Sequence, residues 1–146
     1  MAEIQLYTDG ACRGNPGPGG YGLILMSGEH RKELSAGFLH TTNNRMELMA
    51  VIVGLESLKG SGHVVTVYSD SKYVVDAFLK NWISGWRARR FDKVKNPDLW
   101  MRLLRAMEGQ QVTFHWVKGH AENPYNNRCD ELAVAASHSQ TLFKDL

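Results

Sequence analysis

Apolar and polar positions follow two different periods along this chain, and the switches between them mark its elements. Ile4 and Leu6 alternate with polar neighbours up to Asp9, so residues 3–9 read as a strand. "YGLILM" (21–26) and "KELSAGFL" (32–39) flank "SGEH", which predicts a hairpin. "VVTVYS" (64–69) and "VTFHWV" (112–117) are β-branched and aromatic runs of strand length. "NNRMELMAVIVGLESLKG" reads as a helix capped at Asn43 or Asn44 and stopped near Gly60. "SKYVVDAFLKNW" and "ISGW" read as helical with a break between them. "NPDLWMRLLRAMEG" carries Asn96 as cap, Pro97 in the first turn and Gly109 as stop. Its apolar Leu99, Trp100, Leu103, Leu104 and Met107 share one face. "NNRCDELAVAASHS" reads as a final helix.

The order is three strands, a helix, a strand, helices, a strand and a helix. This predicts an α/β (mixed α+β) fold, a five-stranded mixed sheet flanked by helices. The long helix between strands 3–9 and 64–69 suits a right-handed crossover joining parallel neighbours. Tyr7 and Asp9 share a face of their strand, as do Tyr68 and Asp70 of theirs, because side chains alternate. Asp9 and Asp70 are then expected side by side at one edge of a parallel pair, where sites tend to form.

A length of 146 residues and 43% apolar composition suit one folded domain, 1–146, rather than a disordered chain. No signal segment or membrane-length apolar run is read, and Cys12 and Cys129 are too few for a disulfide framework. The expectation is a soluble cytoplasmic protein, a monomer with no obligate protein partner and no membrane. Net charge is only +2, but residues 80–95 hold six bases (Lys80, Arg87, Arg89, Arg90, Lys93, Lys95) against Asp92. A local basic patch is the electrostatic footprint of a polyanion partner; a solvated charged helix is the plainer reading.

Glu47 is the next unusual acid. On a helix it stacks with Val51, Gly54, Leu55 and Leu58, core-type residues, so it should point inward. The competing reading is a capping box with Asn44. Asp130 is expected in the first turns of the last helix, where an acid also opposes the helix dipole, and position alone does not separate it from Glu131. Converging acids repel, and a divalent cation reverses that cost. Hard carboxylate donors without a cysteine pair or HExxH helix favour Mg²⁺ or Mn²⁺ over zinc. Two such ions about 4 Å apart suit phosphodiester chemistry, which joins the acids to the basic patch.

"YTDGACRGNPGPGGYG", "TTNNRMELMA", "YSDSKYV" and "VKGHAENPYNNRCDELA" together resemble ribonuclease H of the bacterial type 1 class, in order and over essentially the whole chain. The resemblance implies a ribonuclease H-like fold and endonucleolytic cleavage of the RNA strand of RNA–DNA hybrids with Mg²⁺ or Mn²⁺. It assigns Asp9, Glu47, Asp70 and Asp130 as catalytic metal ligands, choosing Asp130 over Glu131. It matches His120 to a catalytic histidine on a loop, suited to proton transfer near neutral pH. The other histidines receive no role, His115 being read as part of a strand. The products would carry 5′-phosphate and 3′-hydroxyl ends.

Selectivity for such a hybrid rests on the 2′-hydroxyl. The resemblance points to Cys12, Asn15, Asn43 and Asn44 as contacts across the minor groove. Thr42 and Asn15 resemble parts of a pocket for a DNA-strand phosphate. Trp82 and Trp86 would lie against DNA sugars beside the basic Arg87, Arg89 and Arg90, while Trp100 and Trp116 are assigned to the core. Lys72 stands where bacterial members often carry glutamine, and His40 where they often carry arginine; the basic protrusion is shorter than in the best-known members. The rival readings are a non-cleaving hybrid-binding module and a related DNA junction nuclease.

Overall fold

The computed structural model describes residues 2–118 and 123–145. Five strands, β1 (Glu3–Cys12), β2 (Gly17–Ser27), β3 (His30–Thr41), β4 (Val64–Ser69) and β5 (Gln111–Trp116), form one sheet in the order β3-β2-β1-β4-β5. β1 pairs antiparallel with β2 and parallel with β4, and β4 pairs parallel with β5. The hairpin turns on Gly28 and Glu29 between the paired Ser27 and His30, with Gly28 at φ 60°. Helices α1 (Asn43–Glu56), α2 (Lys72–Leu79), α3 (Trp82–Ala88), α4 (Pro97–Met107) and α5 (Pro124–Ser137) complete the fold. Among the described residues no helix is long and apolar enough to cross a membrane.

The main core lies between one sheet face and α1, α2 and α4. Leu6, Leu23, Val65 and Val67 meet Met46, Leu48, Ile52, Val74, Trp100 and Leu103 there, all fully buried. α5 covers the other face over β1, β2 and β3. That approach explains the glycines of "GPGGYG". A side chain at Gly20 would strike Ala133 and Ala136, and one at Gly22 would strike Cys129 and Leu132.

Several boundaries differ from expectation. β1 does not stop at Asp9: the glycine-rich start of β2 extends the antiparallel ladder to Cys12↔Gly19, while the parallel ladder with β4 ends at Thr8↔Ser69. α1 is capped by Thr42, whose extended backbone (φ −127°) lets its Oγ1 accept from the Arg45 amide at 3.2 Å, not by Asn43 or Asn44. It ends at Glu56, four residues before Gly60, because the Ser57 Oγ donates to the Gly54 carbonyl at 2.7 Å and closes the last turn. The break before α3 falls at Asn81, in the left-handed region at φ 53°, so Trp82 opens the second helix. Asn96 precedes α4 as expected but its side chain does not cap; it bridges the Arg45 guanidinium and the Tyr73 hydroxyl instead.

Trp100 is a core residue, its indole N–H donating to Tyr73 Oη at 3.0 Å. Trp116 is not: it is 43% exposed, because β5 is an edge strand and Trp116 lies at its open end. His115 is an exposed residue of β5 stacked on Tyr68, as the strand reading anticipates.

Candidate active site

Three elements bring three acids together. Tyr7 and Tyr68 are partners in the parallel β1–β4 ladder, which stops one residue later, so Asp9 and Asp70 leave the shared edge at the same level. Glu47 comes from α1. Its helix can lie that close because Gly10 has no side chain: a Cβ there would overlap the Glu47 amide and the Met46 backbone. One carboxylate oxygen from each of Asp9, Glu47 and Asp70 lies within 4.8 Å of the others.

The capping-box reading of Glu47 fails on geometry. With Thr42 as cap, Glu47 sits beyond the first turn, is only 5% exposed, and turns toward Asp9 and Asp70. Its Oε1 is buried with no hydrogen-bond partner among the described residues. A buried carboxylate oxygen without a donor is costly and is satisfied by a proton or a cation. Burial is the largest influence on both Asp9 and Glu47, followed by repulsion between neighbouring acids. Asp9 is pushed up to about 8 despite a 2.9 Å bond from the Gly10 amide; Glu47 is pushed well above the carboxylate range. Acids so placed hold a proton at neutral pH unless a cation replaces it. All donors are hard oxygens, so the cluster fits a divalent metal of the magnesium type.

Asp130 stands apart from this triad. It is the seventh residue of α5, partly buried, and near enough to raise the Asp9 carboxyl electrostatically. Beyond the first turn it gains little from the helix dipole, which weakens the plainer reading. Glu131 points elsewhere, toward Arg128 at 3.3 Å. Asn126, one turn earlier on α5, is a residue that sequence reasoning misses: it is buried, and its Nδ2 finds no partner among the described residues. The i, i+4 spacing from Asp130 is the sequence signal that marks it. His120 lies outside the described residues.

The expected substrate-binding residues fall in two groups. Asn15 Oδ1 accepts from the Asn43 amide at 2.8 Å, tying the loop after β1 to the start of α1. The Cys12 thiol shares its one proton between the Gly17 and Thr41 carbonyls, at 3.5 and 3.3 Å. Asn15, Thr42 and Asn44 line one cavity with Val94, Lys95, Asn96 and Pro97. Lys95, from the basic segment, brings a cation to that cavity, a placement the sequence does not reveal. In the second group Trp82 is exposed, with Lys80 Nζ over its ring, while Trp86 packs edge-on against Trp100 at 4.9 Å, so of the two only Trp82 lies at the surface. Arg87, Arg89 and Arg90 are exposed around the end of α3, and Lys72 opens α2 with its ammonium over the Trp116 ring.

Comparison with known proteins agrees with this architecture. The chain is 56% identical over 151 residues to "Ribonuclease H" of Desulforamulus reducens, covering 100% of this chain and 94% of that protein. A solved structure of LC9-RNase H1, a type 1 RNase H with the type 2 active-site motif, superposes with a TM-score of 0.88 at 31% identity, covering 97% of this chain and 74% of that one. LC11-RNase H1, solved in complex with an RNA/DNA hybrid, superposes at 0.68 with 28% identity, covering 92% and 96% of the two chains. The family model of RNase H matches residues 1–138, and with five strands in this order around a shared acidic edge, the chain belongs to the RNase H family.

Proposed function

We propose that this protein is an endonuclease that hydrolyses the RNA strand of RNA–DNA hybrids, leaving 5′-phosphate and 3′-hydroxyl ends. It would use Mg²⁺ or Mn²⁺, two per site, as a monomer of the cytoplasm. The observation that carries the reading is the convergence of Asp9, Glu47 and Asp70 within 4.8 Å, with a buried Glu47 oxygen that has no donor among the described residues. When bound, the ions polarise the phosphate and lower the pKa of water. The chain supplies the rest. Asp9, Glu47 and Asp70 hold the charge on strand ends and a helix that resist displacement, and Asp130 adds a carboxylate from the α5 side. Cys12, Asn15, Thr42, Asn43 and Asn44 offer donors and acceptors along one rim, suited to 2′-hydroxyls and a phosphate. Trp82, Arg87, Arg89 and Arg90 offer stacking and charge along the other, with Trp86 backing Trp82 from the core side and Lys72 at the start of α2. His120 is the proposed proton carrier.

The hybrid-bound relative supports the substrate reading. The test compares hybrid, duplex DNA and duplex RNA as substrates for the unmodified protein and for Asp9→Asn, Glu47→Gln, Asp70→Asn and Asp130→Asn, with folding followed separately by circular dichroism. Selective cleavage of the RNA strand of the hybrid, lost by roughly 100-fold or more in folded variants, is expected. Cleavage of duplex DNA in preference to hybrid, or full activity in any of the four, overturns the assignment.

A further inference from the structure

We propose that Trp116 is a positioning residue: its indole N–H braces the Asp70 backbone, and its ring holds the Lys72 ammonium at the start of α2. The proposal rests on the reading of Asp70 as a metal ligand.

Backbone accounting leads to it. The last β4 carbonyl, Ser69, is taken by the Val117 amide at 2.9 Å, and α2 begins its own bonds at the Ser71 carbonyl. The Asp70 carbonyl lies between these two ladders and belongs to neither. Its donor is Trp116 Nε1, at 3.1 Å. Without the indole this exposed carbonyl would pass to water, which does not fix the peptide unit, and the Asp70 carboxylate could turn with it. The Ser71 amide donates to Ser69 Oγ at 3.0 Å and Ser71 Oγ caps α2, so the indole closes the third side of a fastened corner. Burial does not explain the tryptophan, since it is 43% exposed and outside the core. The same ring carries a second interaction: Lys72 Nζ lies 4.8 Å from its centroid, within cation–π range. Among the described residues Lys72 makes no ion pair, and the ring is the contact that restrains it. One side chain thus serves the carboxylate by its N–H and the cation by its face.

The two functions separate by substitution. Trp116→Phe keeps an aromatic face under Lys72 and removes the N–H. It should weaken Mn²⁺ binding to the protein alone, measured by calorimetry, by roughly 2- to 12-fold, the range for one hydrogen bond. KM for hybrid at saturating metal should stay unchanged. Trp116→Leu should add a rise in KM of about 2- to 5-fold, matching Lys72→Gln, and the double variant should rise no further. Asp70→Asn is run alongside. If it keeps full Mn²⁺ affinity, the ligand assignment falls; if it loses affinity while Trp116→Phe does not, the brace falls. KM effects of Trp116→Leu and Lys72→Gln that multiply overturn the second arm. A measurement on the unmodified protein is independent of folding in the variants. The Trp116 indole proton should exchange with solvent more slowly than that of Trp82, which is equally exposed. Equal exchange rates overturn the hydrogen bond itself.

Discussion

Tyr7 and Tyr68 stack at 4.5 Å with their planes 11° apart, as register partners across the parallel β1–β4 pair. The stacking locks the two strands in step immediately before Asp9 and Asp70. A slip of one residue would send one of the two acids to the opposite sheet face. The stacked rings and the paired acids are therefore one structural decision, taken on the same face two residues apart.

The acidic cluster destabilises the metal-free protein, and the pH dependence has a definite sign. The Asp9 carboxyl titrates at 3.8 ordinarily and at about 8 here, through burial first and the Asp70 charge second. The folded state therefore binds the extra proton between these values, and stability falls as pH rises from about 4 to 8. Without metal, the melting temperature should decline across this window. Asp9→Asn should flatten the decline and at pH 8 melt roughly 3–10 °C higher than the parent, for ~1–2 kcal/mol in a chain of this length. Saturating Mg²⁺ should raise the parent and leave the variant nearly unchanged. A metal-free melting temperature independent of pH in this window would count against the cluster's electrostatics.

Arg45 anchors the segment around Asp145 to α1. It is 4% exposed, bonds Asp145 at 2.7 and 3.0 Å and Asp98 at 2.8 and 3.0 Å, and reaches Asn96. Thr41 Oγ1 also donates to Asp145, and Phe143 exchanges backbone bonds with Gly37 and Leu39. Removing the guanidinium leaves the buried Asp145 carboxylate unpaired. Arg45→Met should cost about 3–5 kcal/mol in urea unfolding. Arg102→Met, which breaks an exposed pair with Glu56, should cost about 1 kcal/mol or less. Equal costs would show that the Arg45 network carries no more than a surface pair.

The basic segment should act through phosphates. Replacing Arg87, Arg89 and Arg90 by alanine should weaken hybrid binding more at low salt than at high salt. The slope of log affinity against log salt should flatten by roughly 0.7–0.9 for each phosphate that the variant no longer neutralises. Titrations at several ionic strengths measure it, and an unchanged slope removes these arginines from the interface.

Local pattern reveals the five strands, the parallel neighbourhood of Asp9 and Asp70, and the inward turn of Glu47, because periodicity and turn chemistry report directly on faces. It misses what depends on partners distant in the chain. The end of β1 escapes it because the ladder beyond Asp9 is made by β2 glycines, whose bareness reads locally as loop. Trp116 reads as core because a tryptophan in a strand says nothing of whether that strand lies at the sheet edge. Thr42 is hidden as a cap because neighbouring asparagines cap equally well in isolation. The Arg45–Asp145 pair spans 100 positions and has no local signature.

The bare strip of Gly20, Gly22 and Gly37 under α5 sets where the last acid can stand. A helix seated directly on backbone rides closer to the sheet than side chains would allow, and its whole length shares that height. Asp130 inherits its reach toward Asp9 from packing that runs from its neighbour Cys129 to Ala136, nearly two helical turns on. Filling any of these glycines with even a methyl group would lift the helix like a shim under a beam, withdrawing a carboxylate that the substitution never touches.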